Sequence, residues 1–180
     1  MALLRFAAAR EVFKAFPSAH VDIKTAPTDQ APIAYLRDLA KGPTPDEAIA
    51  FCAYLLPRRE AVWWASQCVR ELLGEPTTAS DEASLSAAED WVRDPEEATR
   101  RRALEIGFAA NRSAASTWVA LAAAWSGGPM IISDYPAPPA PPQLTAQAAF
   151  TAIEIALGGK KDRAELISGC VERGVRITEG

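Results

Sequence analysis

Residues 44–73 read TPDEAIAFCAYLLPRREAVWWASQCVRELL, and their interpretation decides the fold. Residues 48–56 of this stretch are apolar without interruption. An amphipathic surface helix carries one apolar stripe, so a helix that is apolar on every side belongs in the interior. Just before it, Thr44-Pro45-Asp46-Glu47 supplies a cap residue, a proline for the first helical position and a glutamate for the third. That is the pattern of a capping box. Pro57 then breaks the chain. In 58–73, at about 100° of rotation per residue, Ala61, Trp64, Ala65, Cys68, Val69 and Leu72 share one face. Two successive helices, the first buried all round, point to an all-α protein whose core holds the 45–56 helix and the Trp64 face.

Working outward, helical periodicity and punctuation place helices at 3–16, 31–41, 45–56, 58–73, 80–93, 95–110, 114–126, 144–157 and 160–173. Pro17, Gly42-Pro43, Pro57 and Gly74-Glu75-Pro76 stop or start them. Asp94-Pro95-Glu96-Glu97 repeats the capping-box chemistry. The only alternating apolar-polar stretches, Val21-Asp22-Ile23 and Val175-Arg176-Ile177, are too short to found a sheet. The expectation is a single all-α domain over residues 1–180. Its eight or nine helices would form a bundle or an armadillo/HEAT-like stack. A stack would suit the two boxes, because each opens a helix, a break and a tryptophan-bearing helix. Residues 127–143, GGPMIISDYPAPPAPPQ, are the exception. The glycine pair suits a helix end, and the proline density enforces an extended path. This segment reads either as a stiff strap between helices or as a PxxP-type ligand for an aromatic groove.

Composition narrows the function. At 180 residues and 49% hydrophobic, the chain is globular and of one-domain size. Its formal charge of −4 argues against bulk binding to nucleic acid or to an anionic membrane. The most apolar later stretch, residues 114–125, is shorter than the ~20 residues that span a bilayer. Arg5, Arg10, Glu11 and Lys14 spoil the N-terminal segment as a signal peptide. Cys52, Cys68 and Cys170 are odd in number and form no CxxC pair. They are expected as reduced thiols in a cytoplasmic protein.

The search for chemistry returns little. The one histidine, His20, stands in an expected loop without partners for a zinc site or a triad. No GxSxG, HExxH, P-loop or GxGxxG pattern occurs. Glu89-Asp90 and Glu96-Glu97 read as helix-start and solvent carboxylates. Arg100-Arg101-Arg102 reads as a solvated face that could join Arg93 and Arg112 in a basic patch, but without interleaved aromatics. No catalytic residue, metal ligand or cofactor is therefore assigned.

The best lead is Trp63. It points away from the Trp64 face, in a row with Arg59, Gln67 and Arg70, and either arginine could lie across the indole. Trp63 is either second-layer core or, with Arg59 and Arg70, a partner-binding surface of the kind enriched at interface hot spots.

The stretches LPRREAVWWASQCVREL, AAEDWVRDPEEATRRRA and SGGPMIISDYPAPPAPPQLTAQAA carry a resemblance across residues 44–157. They resemble a family of small, helical bacterial proteins, a domain of unknown function associated with type VI secretion gene neighbourhoods. The resemblance implies a bacterial origin and an accessory role in secretion, and it brings no catalytic residues. The favoured function is a non-enzymatic interaction or adaptor module with a protein partner. The alternative is a small helical enzyme, or a helical-repeat nucleic-acid-binding protein, working with carboxylates, arginines and tryptophans.

Overall fold

A computed structural model describes residues 4–180. Among them the chain forms ten helices and no strand: α1 Ala9–Ala15, α2 Ala19–Asp22, α3 Pro32–Lys41, α4 Asp46–Leu55, α5 Arg58–Leu73, α6 Ala79–Arg93, α7 Glu97–Ala109, α8 Ala115–Ala124, α9 Leu144–Leu157 and α10 Arg163–Glu179. The all-α reading holds. The additional helix is α2, a single turn that takes in His20 and Val21-Asp22, so His20 is helical where a loop was expected. The start expected at residue 3 lies outside the described residues, and α1 begins at Ala9. Val175-Arg176-Ile177 falls inside α10, which runs past the expected end at 173 to Glu179.

The helices group into two compact units. The first holds the chain up to Pro57 together with Gly159–Gly180, and the second holds Arg58–Gly158. The chain therefore leaves the first unit after α4 and returns to it with α10.

In the first unit α4 packs against α3, α2 and α10. Every residue from Glu47 to Leu56 is buried, as an all-round apolar helix requires. Phe13, Tyr35 and Phe51 meet edge-on or tilted within this core, with Tyr35 and Phe51 centroids 4.8 Å apart. Glu47 does not act as a capping-box residue for α4. Its carboxylate accepts the backbone N–H groups of Lys24 at 3.0 Å and Thr25 at 3.1 Å, so it ties the incoming loop to the helix start. Burial alone would raise its pKa, but the donors at Thr25, Lys24 and Thr44 outweigh that and hold it below the usual carboxylate value.

In the second unit α8 is the hub, packed against α5, α6, α7 and α9. It is buried from Ala115 to Ala124 except at Trp118. Its alanines let neighbours approach closely, and Gly107 of α7 lies so near Leu121 that a Cβ there would overlap its side chain. Trp64 on α5 is fully buried here, as its face predicted. The two hairpins read as repeats have different settings. α7 and α8 pack together in the second unit, whereas α4 and α5 fall in different units.

Candidate functional site

α5 and α6 are joined by residues 74–78, where Gly74 at φ +68° lets the chain turn out of α5. Thr78 caps α6 by accepting the Asp81 N–H at 3.0 Å. The helices run antiparallel, so the start of α5 meets the end of α6. Arg59 Nε donates to the Val92 carbonyl at 2.6 Å. Further along, Arg70 clamps two carboxylates of α6. It reaches Glu89 through Nε at 2.7 Å and Nη2 at 3.0 Å, and Glu82 through Nη1 at 2.8 Å and Nη2 at 3.0 Å. Ser66 also donates to Glu89.

Between these two ties an open groove of about 370 Å³ lies on the surface, lined by Arg59, Glu60, Trp63, Glu89, Val92 and Arg93. The lining follows from helical spacing. Residues 59, 60 and 63 share one side of α5, and 89, 92 and 93 share one side of α6. Trp63 is 40% exposed, whereas Trp64, one residue on, is fully buried.

Of the three residues proposed from sequence, Arg59 and Trp63 line the groove together and Arg70 does not. Arg70 is half-buried in the Glu82–Glu89 clamp, where it braces the helix pair. Its pKa is pushed further up, first by Glu82 and then by Glu89. Glu82 is correspondingly drawn down to about 2, chiefly by Arg70. Among the described residues no guanidinium lies over the Trp63 indole; the cation–π contacts are Arg112 over Phe108 and Arg5 over Phe6. Arg93 and Val92 are groove residues that sequence reasoning missed. Their signal was an i, i+3, i+4 pattern from Glu89, readable only once α6 was known to lie against α5.

Arg100 corrects the reading of the arginine run. It is buried, not solvated. Its guanidinium donates to the Ala124 carbonyl at 2.7 Å, to the Pro129 carbonyl at 3.5 Å and to the Glu97 carboxylate at 2.7 and 2.6 Å. Glu97 therefore serves Arg100 and does not complete a capping box at Asp94, and α7 begins at Glu97. Arg101 pairs with Glu105. The continuous basic face that the sequence allowed is thus broken up.

The strap starts from this anchor. Ala140 N–H donates to the Gly128 carbonyl at 2.8 Å, closing the loop, and Trp125 Nε1 donates to the Met130 carbonyl at 3.1 Å. Pro129 and Pro139 form an isolated antiparallel bridge.

Of the two groove carboxylates, Glu89 is engaged by Arg70 and Ser66. Among the described residues no group of three potential metal ligands gathers, and no helix is long and apolar enough to cross a membrane.

Residues 35–178, which span parts of both units and the whole of α5 and α6, match the family described as "Family of unknown function (DUF6931)". The chain belongs to this DUF6931 family. Comparison with curated proteins and with solved structures found no match. Since the match takes in the Trp63 groove, the Arg100 anchor and the strap, all three lie within the DUF6931 segment of the chain.

Proposed function

We propose that this DUF6931 protein is a non-enzymatic interaction module that takes a protein partner in the α5–α6 groove. The observation that carries the reading is the contrast between neighbouring tryptophans: Trp64 is in the core, while Trp63 keeps 40% of its surface in solvent over an open groove. A large ring left in water contributes little to folding, and aromatic-plus-arginine surfaces are where binding energy concentrates. Arg59 and Arg93 border the ring and Val92 adds apolar area. The Arg70 clamp holds both walls in place, so little is lost in ordering them on binding.

We place the protein in the bacterial cytoplasm, as an accessory of a type VI secretion apparatus. This part of the proposal rests on the resemblance carried by residues 44–157. The test is affinity capture from the native host with quantitative mass spectrometry, comparing wild type with Trp63→Ala. Partners held by the wild type and lost from the variant support the reading. A variant that retains every wild-type partner sinks it.

A further inference from the structure

A second concave site lies wholly within the first unit. It is an open cleft of about 330 Å³, lined by Arg10, Phe13, Lys14, His20 and Pro27. Arg10 and Lys14 stand four residues apart on α1, so they share one side of that helix. His20 comes from α2, and its ring packs at 4.8 Å on the buried ring of Phe13. Pro27 belongs to the 23–31 loop, which returns past α1. Two backbone bonds fasten this loop to the helix start, Ala9 N–H to the Gln30 carbonyl at 2.9 Å and Arg10 N–H to the Thr28 carbonyl at 3.0 Å. Its other end is held by Glu47 through the Lys24 and Thr25 N–H groups. Walls fixed in this way lose little entropy when a ligand enters.

The lining is basic and contains no carboxylate, although the chain as a whole carries a formal charge of −4. Acidic groups on the same elements are engaged elsewhere. The Glu11 carboxylate accepts the Ala7 and Ala8 N–H groups, and Asp22 accepts the Tyr54 hydroxyl at 2.8 Å. Asp29 pairs with Arg10 and offsets its charge. A forked guanidinium–carboxylate pair uses two of the five N–H donors of an arginine, so Arg10 keeps donors for a ligand. Lys14 is exposed and makes no ion pair or hydrogen bond among the described residues, and the ring nitrogens of His20 make none either. Three such groups around one cleft call for an anion. A phosphate monoester has three terminal oxygens to accept from Lys14, Arg10 and His20 together, whereas a carboxylate has two. Pro27 and the stacked His20 ring offer apolar area to the organic part, and the volume falls at the small end of the range for small-molecule sites.

We propose that the cleft between α1, α2 and the 23–31 loop binds a small, soluble phosphate monoester. Lys14 is its principal cation, Arg10 and His20 are further donors, and Pro27 packs against the organic group. The site is separate from the α5–α6 groove, and its test does not depend on that reading.

His20 is the only histidine in the chain, so its Cε1–H resonance reports on the cleft directly. Phenyl phosphate titrated into the full chain should move that resonance saturably, with a dissociation constant of about 0.1–1 mM. Inorganic phosphate, which leaves Pro27 uncovered, should bind more weakly, and so should benzoate. Lys14→Gln should weaken phenyl phosphate about tenfold or more, as the loss of a charge-assisted hydrogen bond does. Lys161→Gln makes the same change of charge at an exposed residue outside the cleft and should bind as wild type. A resonance that stays still, or drifts without saturating, overturns the proposal. Equal losses in the two lysine variants overturn it too, because they reduce the effect to overall charge. Benzoate binding as tightly as phenyl phosphate overturns the choice of phosphate, and inorganic phosphate doing so overturns the organic contact. Vesicles containing phosphatidic acid present the same monoester on a lipid. Retention on them without a saturable response to phenyl phosphate overturns the soluble ligand in favour of a lipid headgroup.

Discussion

The Arg100 guanidinium lies directly against the backbone of Gly128, at the point where α8 gives way to the strap. A Cβ at Gly128 would overlap the guanidinium carbon and nitrogens. The same guanidinium is held on its other sides by Glu97 and by the Ala124 carbonyl, so it cannot swing away without breaking those bonds. Gly128 is therefore constrained by close approach and not by its backbone angles.

Gly128→Ala should cost about 1–3 kcal/mol of stability through overpacking. Arg100→Met should cost about 2 kcal/mol, because it leaves a buried carbonyl without its donor. The two changes act at one contact, so in Arg100→Met/Gly128→Ala their costs should fall short of adding. Urea unfolding of the four proteins measures this cycle. Strict additivity would show that the two residues do not meet.

The adjacent tryptophans make a matched pair. Trp64→Ala should lose about 3–5 kcal/mol of stability, since it empties a fully buried site. Trp63→Ala should stay within about 1 kcal/mol of wild type, while partner binding weakens by about 2 kcal/mol or more. Thermal unfolding, alongside a binding titration, separates the two. Equal losses of stability at both positions would place Trp63 in the core.

The Arg70 clamp sets a pH dependence. Glu82 has its folded pKa drawn from 4.5 to about 2 by Arg70. A depressed carboxylate contributes its stability in full above its unfolded value and loses it as pH falls through the folded one. Stability should therefore decline between about pH 4.5 and 2, with Glu97 and Glu172 shifted in the same direction by Arg100 and Arg37. Glu82 is half exposed, so solvent screening holds its own share to about 1 kcal/mol or less. Glu82→Gln should flatten that part of the profile and leave stability at pH 7 lower. An unchanged acid limb in urea titrations at stepped pH would contradict the clamp.

What could be read in advance follows from how local each signal is. The burial of α4 and of the Trp64 face is written in consecutive residues, and hydrophobic periodicity reports it without knowledge of neighbours. That Trp63 lies off the Trp64 face was legible for the same reason, but its exposure was not, because cover by a second layer depends on neighbouring helices. The partners of charged groups were not. Glu47 and Glu97 each stood three residues after a cap residue, yet Glu47 is drawn to the Lys24–Thr25 backbone and Glu97 to Arg100. Arg100 looked like its neighbours Arg101 and Arg102, and only the fold places two backbone carbonyls around it. Arg70 was misjudged in the same way, because its carboxylates sit on another helix. Such pairings arise from tertiary approach, and a one-dimensional pattern does not carry them.

The cysteines test whether the two units open separately. Cys52 on α4 and Cys170 on α10 lie buried in the first unit, and Cys68 on α5 lies buried in the second. Burial, with a smaller contribution from Cys170, pushes the Cys52 thiol well above its ordinary pKa. The thiolate is the reactive form, so native labelling at neutral pH should proceed only through opening of the structure. Cys170 sits on the C-terminal helix, which is tied down by Arg163 to Asp46 and by Glu172 to Arg37. Asp46→Asn removes one tie. An exposed ion pair contributes about 0.2–1 kcal/mol, so Cys52 and Cys170 should then label about two- to fivefold faster. Cys68 should label at its wild-type rate, because its opening does not involve α10. Mass spectrometry of timed alkylation, with peptide mapping, reads all three sites at once. Immediate labelling of any cysteine in the wild type would contradict the burial, and equal acceleration at all three would mean that the units open as one.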